Sequence, residues 1–520
     1  MRSTTGGQHS FAQIPSANIQ RSQFNRSCGI KTAFDAGWLV PIFCDEALPG
    51  DTMNLKIHTF GRMATPLKPL MDNLYMDYFF FAVPIRLLWD NWQKFNGEQD
   101  NPGDSTDYLV PTITSPAGGY LHGSLHDHLG IPPVVSGLEH SALWHRAYNL
   151  IYSEWFRSQD LINRPPINKG DGPDVDTDYK LLRRGKRHDY MTSALPWPQK
   201  GPSVQLPLGE TAPVRATSGG FPVFDIGSLG GPAALQANQT TTQVNWSEQA
   251  AGPATATWNT TGLETDLSQA TSATINQLRQ SFQVQKLYER DARGGSRYTE
   301  QIRSHFGVIS PDQRLQRPEF LGGGSAPVTM NVVPRTAGSG TPPVGDLGSY
   351  ATTNQTNAGF VKSFTEHCVV IGLVSARADL NYQQGLNRMF SRKTRFDFYW
   401  PALSHLGEQS ILNKEIYATG TTSDDDVFGY QERYAEYRYK PSEIHSIFRS
   451  TAQQPIDIWH LAQNFVSLPL LNETFIGENP PMSRVEAVPT EPDFLLDAFF
   501  EFKHARPMPT YSVPGMIDHF

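Results

Sequence analysis

Cysteine is scarce in this sequence. Three residues, Cys28, Cys44 and Cys368, are spread over a chain of 520. An odd number at such wide spacing provides neither a disulfide framework nor a zinc cluster. The opening stretch MRSTTGGQHSFAQIPSANIQ contains no apolar segment like the core of a secretory signal peptide. Folding in a reducing cytoplasm is therefore the simplest interpretation.

Long hydrophobic runs are also lacking. The most apolar stretch is uninterrupted only over Tyr78–Ile85, whereas a membrane-spanning helix needs about 20 apolar residues. We therefore expect no membrane insertion. Positive charge is limited too, because 43 Lys and Arg stand against 51 Asp and Glu, for a formal net charge of −8 with neutral His. Any contact with nucleic acid must then come from local basic patches.

Motifs for catalysis are missing as well: the sequence has no nucleophile elbow, no phosphate-binding loop and no HExxH motif. We expect no enzymatic step and no cofactor. One alternative stays open, a glycan-binding or glycan-hydrolysing β-sandwich protein, which would use the many Trp and Tyr residues. A hydrolase of that kind would need a pair of carboxylates.

Glycine and proline are abundant, with 43 and 39 residues, which indicates many turns and irregular loops. Residues 51–63 alternate apolar and polar side chains, as a strand that covers a core does. Tyr78–Val83 is apolar on both faces, so its strand must be covered on both sides, and Pro84 should end it. Further strands are predicted in the segments TAFDAGWLVPIFC, HCVVIGLVSA, TRFDFYW, YAEYRYK and LLDAFFEFKHA.

Helices are predicted between these strand regions. A capping-box spacing from Ser136 to Glu139 should introduce the first of them, and Gly294 should end the second. The segment Gly322–Phe360 is expected to be a connection rich in Gly, Pro and Thr. Apolar side chains recur at helical spacing in three groups: Trp144, Tyr148, Ile151 and Trp155; Ile275, Leu278 and Phe282; and Tyr298, Ile302 and Phe306.

Residues 202–265 differ from their surroundings, being poor in charge and rich in Gly, Ala, Thr and Gln. Such a composition favours an insertion exposed on a surface. Strands at both ends of the chain, with helices and loops between them, predict one mainly β sandwich domain over residues 1–520 that is interrupted by insertions.

Several long segments resemble the major capsid protein of microviruses, small icosahedral phages with single-stranded DNA. The similarity is greatest to the gokushovirus branch and covers nearly the whole chain. It is carried by the segments HSFAQIPSANIQRSQFNRS, DYFFFAVPIRLLWDNWQKFNGEQ, RAYNLIYSEWFRSQDLI, KRHDYMTSALPWPQKG, RSHFGVISPDQRLQRPEFLGGG and FGYQERYAEYRYKPSEIH.

The resemblance implies an eight-stranded antiparallel jelly roll with long loop and helical insertions between the strands. It also implies that about sixty copies close an icosahedral T=1 shell, a point-group assembly of one repeated surface. The implied partners are a circular single-stranded DNA genome, a small and very basic DNA-condensing phage protein, and a receptor on the host cell surface. Residues 202–265 are the candidate for a protrusion at the threefold axes that is used in host attachment.

The segment LLRRGKRHDY combines positive charge with an aromatic ring, a composition that suits single-stranded DNA because cations neutralise phosphate and rings stack on bases. A solvated loop, or pairing with the acidic run just before it, is the alternative. Basic residues of the N-terminal arm are similar candidates. The DNA-contact candidates are Arg21, Arg26, Arg183, Arg184, Lys186, Arg187 and Tyr190.

Trp and Arg are favoured anchors of subunit interfaces. Packing within the chain is the alternative for each of these side chains. The interface candidates are Arg86, Trp89, Trp92, Trp144 and Trp155.

Two polar clusters are expected to have ordinary roles. The acidic run 171–178 fails the EF-hand pattern, so a solvated turn is expected there. His122, His126 and His128 lie close together in LHGSLHDHLG. No Cys or second cluster accompanies them, so we expect hydrogen-bonding loop histidines and no metal site.

Overall fold

The computed structural model describes residues 19–204, 275–309, 315–336 and 343–511, together with the backbone of six short strands between residues 214 and 265. The chain divides into two compact units, one formed by Met1–Pro198 with Gly294–Phe520 and the other by Gln199–Arg293. In the part described, no helix is both long and apolar enough to cross a membrane.

The strands, in chain order, are β1 Ser22–Asn25, β2 Cys28–Phe34, β3 Val40–Ala47, β4 Thr52–Met63, β5 Leu74–Pro84, β6 Thr112–Thr114, β7 Glu139–Ser141, β8 Val214–Ala216, β9 Val223–Ile226, β10 Gly231–Ala237, β11 Val244–Trp246, β12 Ala256–Trp258, β13 Leu263–Thr265, β14 Glu319–Pro334, β15 Leu347–Ser363, β16 Cys368–Ala378, β17 Asn381–Tyr382, β18 Glu408–Leu412, β19 Val427–Glu432, β20 Ser442–Glu443 and β21 Phe494–Arg506. The α-helices are α1 Trp92–Phe95, α2 Leu125–His128, α3 Leu143–Ile151, α4 Ile275–Gly294, α5 Tyr298–Phe306, α6 Asn413–Ile416 and α7 Glu473–Ile476.

A curled antiparallel sheet of nine strands dominates the first unit. Its order is β1, β21, β4, β15, β14, β5, β16 and β3, and β2 pairs with β21 as well. The curl brings the Phe43 ring of edge strand β3 to 5.1 Å from Phe500 and 5.6 Å from Phe502 of β21. The Thr59 and Tyr78 hydroxyls are hydrogen bonded across the same interior at 2.8 Å. Two halves of one sheet thus face each other, and the predicted mainly β jelly roll with helical insertions is confirmed.

Strand β5 runs through the middle of this sheet, between β14 and β16. Tyr78 and Phe80 point into the core between the two halves. Phe81 and Val83 point the other way, into a second apolar cluster that contains Tyr148 of α3. The strand ends at Pro84. The prediction of a strand covered on both faces and ended by proline is confirmed, and the same chain supplies the cover.

Other predicted elements are also present. Strands β4, β16 and β21 occupy the segments that predicted them, and α4 and α5 coincide with the two later helices. The helical spacing from Trp144 to Trp155 is realised as α3 continued by a π-helical turn, Tyr152–Phe156. The capping box is wrong, because Glu139 lies in β7 and the N-cap of α3 is Ala142.

Three further expectations about strands are wrong. Residues 322–360 contain the long strands β14 and β15 instead of a connection. Glycine is required within β14 because a Cβ at Gly323 would lie 2.2 Å from the Tyr78 carbonyl oxygen. TRFDFYW and YAEYRYK form short 3₁₀ turns, Arg395–Asp397 and Ala435–Tyr437, instead of strands.

The second unit contains the short strands of the insertion and α4. Strands β9, β10, β11 and β12 form one small antiparallel sheet, and β8 pairs with β13. Most of residues 202–265, and all side chains of residues 205–274, lie outside the described part of the chain. The surface insertion, its edges and its proposed threefold position stay predictions.

Candidate functional site

The basic run 183–190 directly follows Leu181 and Leu182, which pack against the second apolar cluster. Arg183 stacks on the Trp38 ring at 4.2 Å and donates to the carbonyls of Ala36 and Glu478 at 3.2 and 3.0 Å. Arg184 donates to Asp77 at 2.7 Å, and only 13% of its side chain is exposed. Both guanidinium groups are therefore committed to contacts within the chain.

Lys186 and Tyr190 are buried. The Lys186 ammonium donates to Gln463 at 2.8 Å and lies over the Phe475 ring, and burial lowers its pKa to about 8. The Tyr190 hydroxyl donates to Glu415 at 2.9 Å. Neither side chain presents its charge or ring to solvent in this fold, so a DNA contact by either one would need the run to move.

Arg187 is exposed and lies at the rim of a groove with a volume of about 430 Å³. Trp155, Phe156 and Phe320 give this groove an aromatic wall, while Arg157 and Arg187 bring positive charge to it. Trp155 remains 41% exposed even though its indole donates to the Pro318 carbonyl at 2.9 Å. We call this the 155–187 groove. It brings together three DNA-contact candidates, Arg184, Lys186 and Arg187, and one interface candidate, Trp155, which the sequence placed in separate groups.

The N-terminal candidates flank the first strand, Arg21 just before β1 and Arg26 just after it. Arg21 is exposed and donates to the Gly50 carbonyl. Arg26 forms a bidentate ion pair with Asp45 at 2.6 and 3.1 Å and lies over the Phe502 ring. Both arginines lie far from Arg187 in sequence, and a shared DNA surface stays a prediction.

The remaining interface candidates pack mainly within their own chain. Trp89 is fully buried, and its indole donates to Asp171 at 2.6 Å. Trp92 and Trp144 are half-buried against the same apolar cluster. Arg86 is half-buried and donates to Glu366 at 2.8 Å. Of the five candidates, Trp155 offers the largest exposed aromatic face, and a subunit contact by any of them stays a prediction.

A surface that the sequence did not indicate lies around residues 390–400. Its exposed rings make contact with two arginines: the Arg392 guanidinium lies 4.3 Å from the Tyr437 ring centroid, and that of Arg395 lies 5.3 Å from the Trp400 ring centroid. The aromatic–charge alternation of TRFDFYW was interpreted as a strand, which concealed it. The 390–400 surface comprises Phe390, Phe396, Phe398, Tyr399 and Trp400, exposed by 70, 57, 51, 49 and 45%.

The acidic run is not a solvated turn throughout. Asp174 forms a bidentate pair with Arg146 at 2.7 and 2.8 Å, with 3% and 1% of the two side chains exposed. Burial alone would raise the pKa of Asp174, but hydrogen bonds from Arg146 and Tyr179 outweigh it and hold that pKa below its ordinary value. The expectation is wrong here because the cation that buries Asp174 lies on α3, away from the run in sequence.

Comparisons with known proteins give matches over nearly the whole chain. A sequence profile of the family described as "Capsid protein (F protein)" matches residues 12–516. The chain is 52% identical to capsid protein VP1 of Bdellovibrio phage phiMH2K, over 99% of this chain and 98% of that protein. It is 42% identical to capsid protein VP1 of Chlamydia phage 1, over 97% of each. It is 34% identical to capsid protein VP1 of Spiroplasma virus 4, over 98% of this chain and 97% of that one.

Proposed function

Because this chain belongs to the capsid protein (F protein) family and is a structural capsid protein of the virion, we propose that about sixty copies of it close an icosahedral T=1 shell around a circular single-stranded DNA genome. The near full-length match to a phage VP1 at 52% identity carries the proposal. A structural role for the whole family disfavours the glycan-active alternative, and we propose no enzymatic step.

The 390–400 surface is the proposed site of contact with a second copy of the chain. A shell must bury apolar surface between its subunits, and exposed apolar patches rimmed by polar groups are typical of such contacts. Phe396 and Phe398 are more than half exposed, and aromatic rings beside arginines are the side chains that dominate interface energies. Phe396 lies in the one-turn helix Arg395–Asp397 and Phe398 follows it directly, and both rings are accessible to a neighbour.

Electron microscopy of the expressed chain tests this proposal. The wild-type chain should form isometric particles of uniform size, and the double variant Phe398→Ser/Trp400→Ser should remain unassembled but folded by circular dichroism. Leu109→Ser is the matched control, because Leu109 is 82% exposed elsewhere on the chain, and it should still assemble. Normal particles from the double variant would exclude the 390–400 surface as a subunit contact.

The 155–187 groove is the proposed contact with the genome. Its aromatic wall can stack bases while Arg187 neutralises phosphate at the rim, a combination used for single-stranded nucleic acid. Arg21 and Arg26, on either side of β1, remain further candidates. Because the chain carries a formal net charge of −8, we also propose that a small basic phage protein supplies most of the charge that condenses the DNA.

Binding of a labelled single-stranded oligonucleotide, measured by fluorescence anisotropy at several salt concentrations, tests the groove. Arg187→Ala should weaken binding and reduce the salt slope by about 1, and oligonucleotide should quench Trp155 fluorescence in a difference against Trp155→Phe. Lys56→Ala removes one exposed charge from β4 and serves as the control. Equal losses in Arg187→Ala and Lys56→Ala would overturn the proposal.

The insertion 202–265 is proposed to attach the particle to a receptor on the host surface. Its composition, poor in charge and rich in Thr and Gln, supports an exposed position. Deleting the segment and measuring phage adsorption is the test, and unchanged adsorption would exclude the role.

Assembly in the host cytoplasm is supported by the three cysteines, which are all free thiols.

A further inference from the structure

Three histidines converge beside the outer face of the sheet. His126 lies in α2, His140 in β7 and His145 in α3. One nitrogen of each lies within 4.8 Å of the corresponding nitrogens of the other two. His126 and His145 are 5% and 1% exposed, and His140 is half-buried. The fold thus gathers three imidazoles from three separate elements, and His140 is the most exposed of the three.

Two of the three imidazoles are in direct contact. Nε2 of His145 lies 2.8 Å from Nδ1 of His126, so one of the two must carry the shared proton. If His145 carries it, its buried Nδ1 has no hydrogen-bond partner among the residues that the structure describes. If neither carries it, two lone pairs face each other at contact distance. A cation between Nε2 of His145 and Nδ1 of His126 would use both lone pairs, with the His145 proton on Nδ1.

The groups around the cluster orient it for a cation. His140 Nδ1 lies 3.2 Å from the Ser141 carbonyl, to which it can donate, so its Nε2 carries the lone pair. A backbone partner that fixes the tautomer in this way is typical of metal-binding histidines. That Nε2 lies 2.9 Å from the Tyr120 hydroxyl. Asp176 interacts electrostatically with both His126 and Tyr120 and adds negative charge nearby.

We propose that His126, His140 and His145 bind one divalent transition-metal cation, with zinc as the preferred ion. Three neutral imidazoles and an open fourth position form a known type of zinc site, whereas Ca²⁺ and Mg²⁺ require oxygen ligands. Zinc–nitrogen bonds of about 2.0–2.1 Å at tetrahedral angles place ligand nitrogens about 3.3 Å apart. The 2.8 Å pair needs only a small opening to reach that spacing.

The proposed site would join α2, β7 and α3, two of which are very short. α2 has four residues and β7 has three, and both lie in a region rich in loops between β6 and α3. A bound cation would fix them to α3, which packs on the outer face of β5. Its role is structural, since ligands taken from separate segments stabilise the folded chain over the unfolded one.

Cobalt substitution of the full chain, purified in metal-free buffer, tests the site. Co²⁺ should give the intense visible absorption of a tetrahedral ion at one equivalent per chain. Zinc should abolish this absorption and raise the thermal midpoint, and a chelator should lower that midpoint again. His140→Ala should weaken cobalt binding about tenfold or more. Half-burial makes His140 the variant least apt to disturb folding.

His122→Ala is the matched control, because His122 is exposed and lies just before α2 outside the cluster, and it should bind cobalt as the wild type does. A second variant, His126→Gln, keeps a hydrogen-bonding side chain at the buried position and should also lose the absorption. Absence of a tetrahedral spectrum at pH 7.5 would overturn the proposal. Equal affinities of the wild type and His140→Ala would do so as well.

Discussion

Two aromatic segments of this chain have similar compositions and opposite environments. Strand β5 contains three consecutive phenylalanines, of which Phe80 and Phe81 are at most 1% exposed. The segment TRFDFYW contains four rings within five residues, and Phe396 and Phe398 are more than half exposed. β5 has hydrogen-bonded neighbours on both sides and apolar layers on both faces, whereas residues 395–397 form a single turn.

The difference teaches that aromatic content does not by itself decide burial. In β5 the rings follow one another without charge, so both faces can enter apolar layers. In TRFDFYW, Arg395 and Asp397 alternate with the rings, and Asp397 accepts from the backbone N–H groups of Lys393 and Thr394 at 2.9 and 2.7 Å. That local hydrogen bonding favours a turn over a ladder, and the turn leaves the rings outside. The rings of β5 therefore pack in the core, and those of TRFDFYW are accessible to a neighbouring subunit.

The largest loss is expected for Phe80→Ala. Phe80 is fully buried and packs against Phe43 and Phe360, so truncation should lower the free energy of unfolding by about 3–5 kcal/mol. Urea unfolding of the unassembled chain measures it. Phe80→Leu, which keeps most of the volume, should cost less. A loss below about 1 kcal/mol for Phe80→Ala would contradict the contrast between buried and exposed rings.

The next effect concerns the charge that β5 carries inside the sheet. Asp77 accepts from Arg184 at 2.7 Å, from Arg377 at 2.8 Å and from Ser325 at 2.6 Å. Asp77→Asn removes the charge and leaves a buried guanidinium unpaired, which should cost about 3 kcal/mol. Asp497→Asn is the control, because its pair with Lys31 is exposed and should be worth less than about 1 kcal/mol. Equal losses in the two variants would refute the expectation.

A smaller effect should appear as a pH dependence. Burial, with Asp493 close by, raises the pKa of Glu486 well above its ordinary 4.5. The folded chain then holds a proton that the unfolded chain releases, so the contribution of Glu486 to stability is fully present below pH 4.5 and is lost as the pH rises through the folded pKa. The urea midpoint followed from pH 5 to 9 measures this loss. Glu486→Gln, which cannot ionise, should flatten the dependence, and an unchanged slope in that variant would assign the loss to other groups.

The smallest effect on stability is expected at the 390–400 surface. Phe398→Ala removes a ring that is 51% exposed, so the free energy of unfolding should change by no more than about 0.5 kcal/mol. The same urea titration measures it. A loss approaching that of Phe80→Ala would mean that Phe398 supports its own chain, and the proposed subunit contact would lose its basis.

Much of the sheet could be predicted from sequence, for identifiable reasons. Period-two alternation indicated β4, and continuous apolar residues indicated β5, because burial of one or two faces leaves that signal directly. The segments of β16 and β21 were also predicted as strands. β14 and β15 gave no such signal. Gly322–Gly324 weaken strand propensity, yet the close approach of the Tyr78 backbone requires small residues there, and only the neighbouring strand reveals this.

The candidate sites were less accessible from sequence. Composition made Arg187 a candidate for DNA contact and Trp155 a candidate for a subunit interface. That they line one groove depends on how two segments about thirty positions apart pack in the fold. The same holds for His140 and His145, which the fold brings to His126 through two loops. Composition could not show that Arg184, Lys186 and Tyr190 are occupied within the chain, since Asp77, Gln463 and Glu415 are distant in sequence.

The position of β21 has a consequence for synthesis. This strand lies between β4 and the strands β1 and β2, although the ribosome makes it long after all three. Until β21 has been translated, β1, β2 and β4 lack the strand with which they pair. The sheet then lacks an inner strand. Nascent chains and premature termination products that lack β21 therefore cannot form the complete sheet. We expect only chains translated past residue 506 to be competent for assembly.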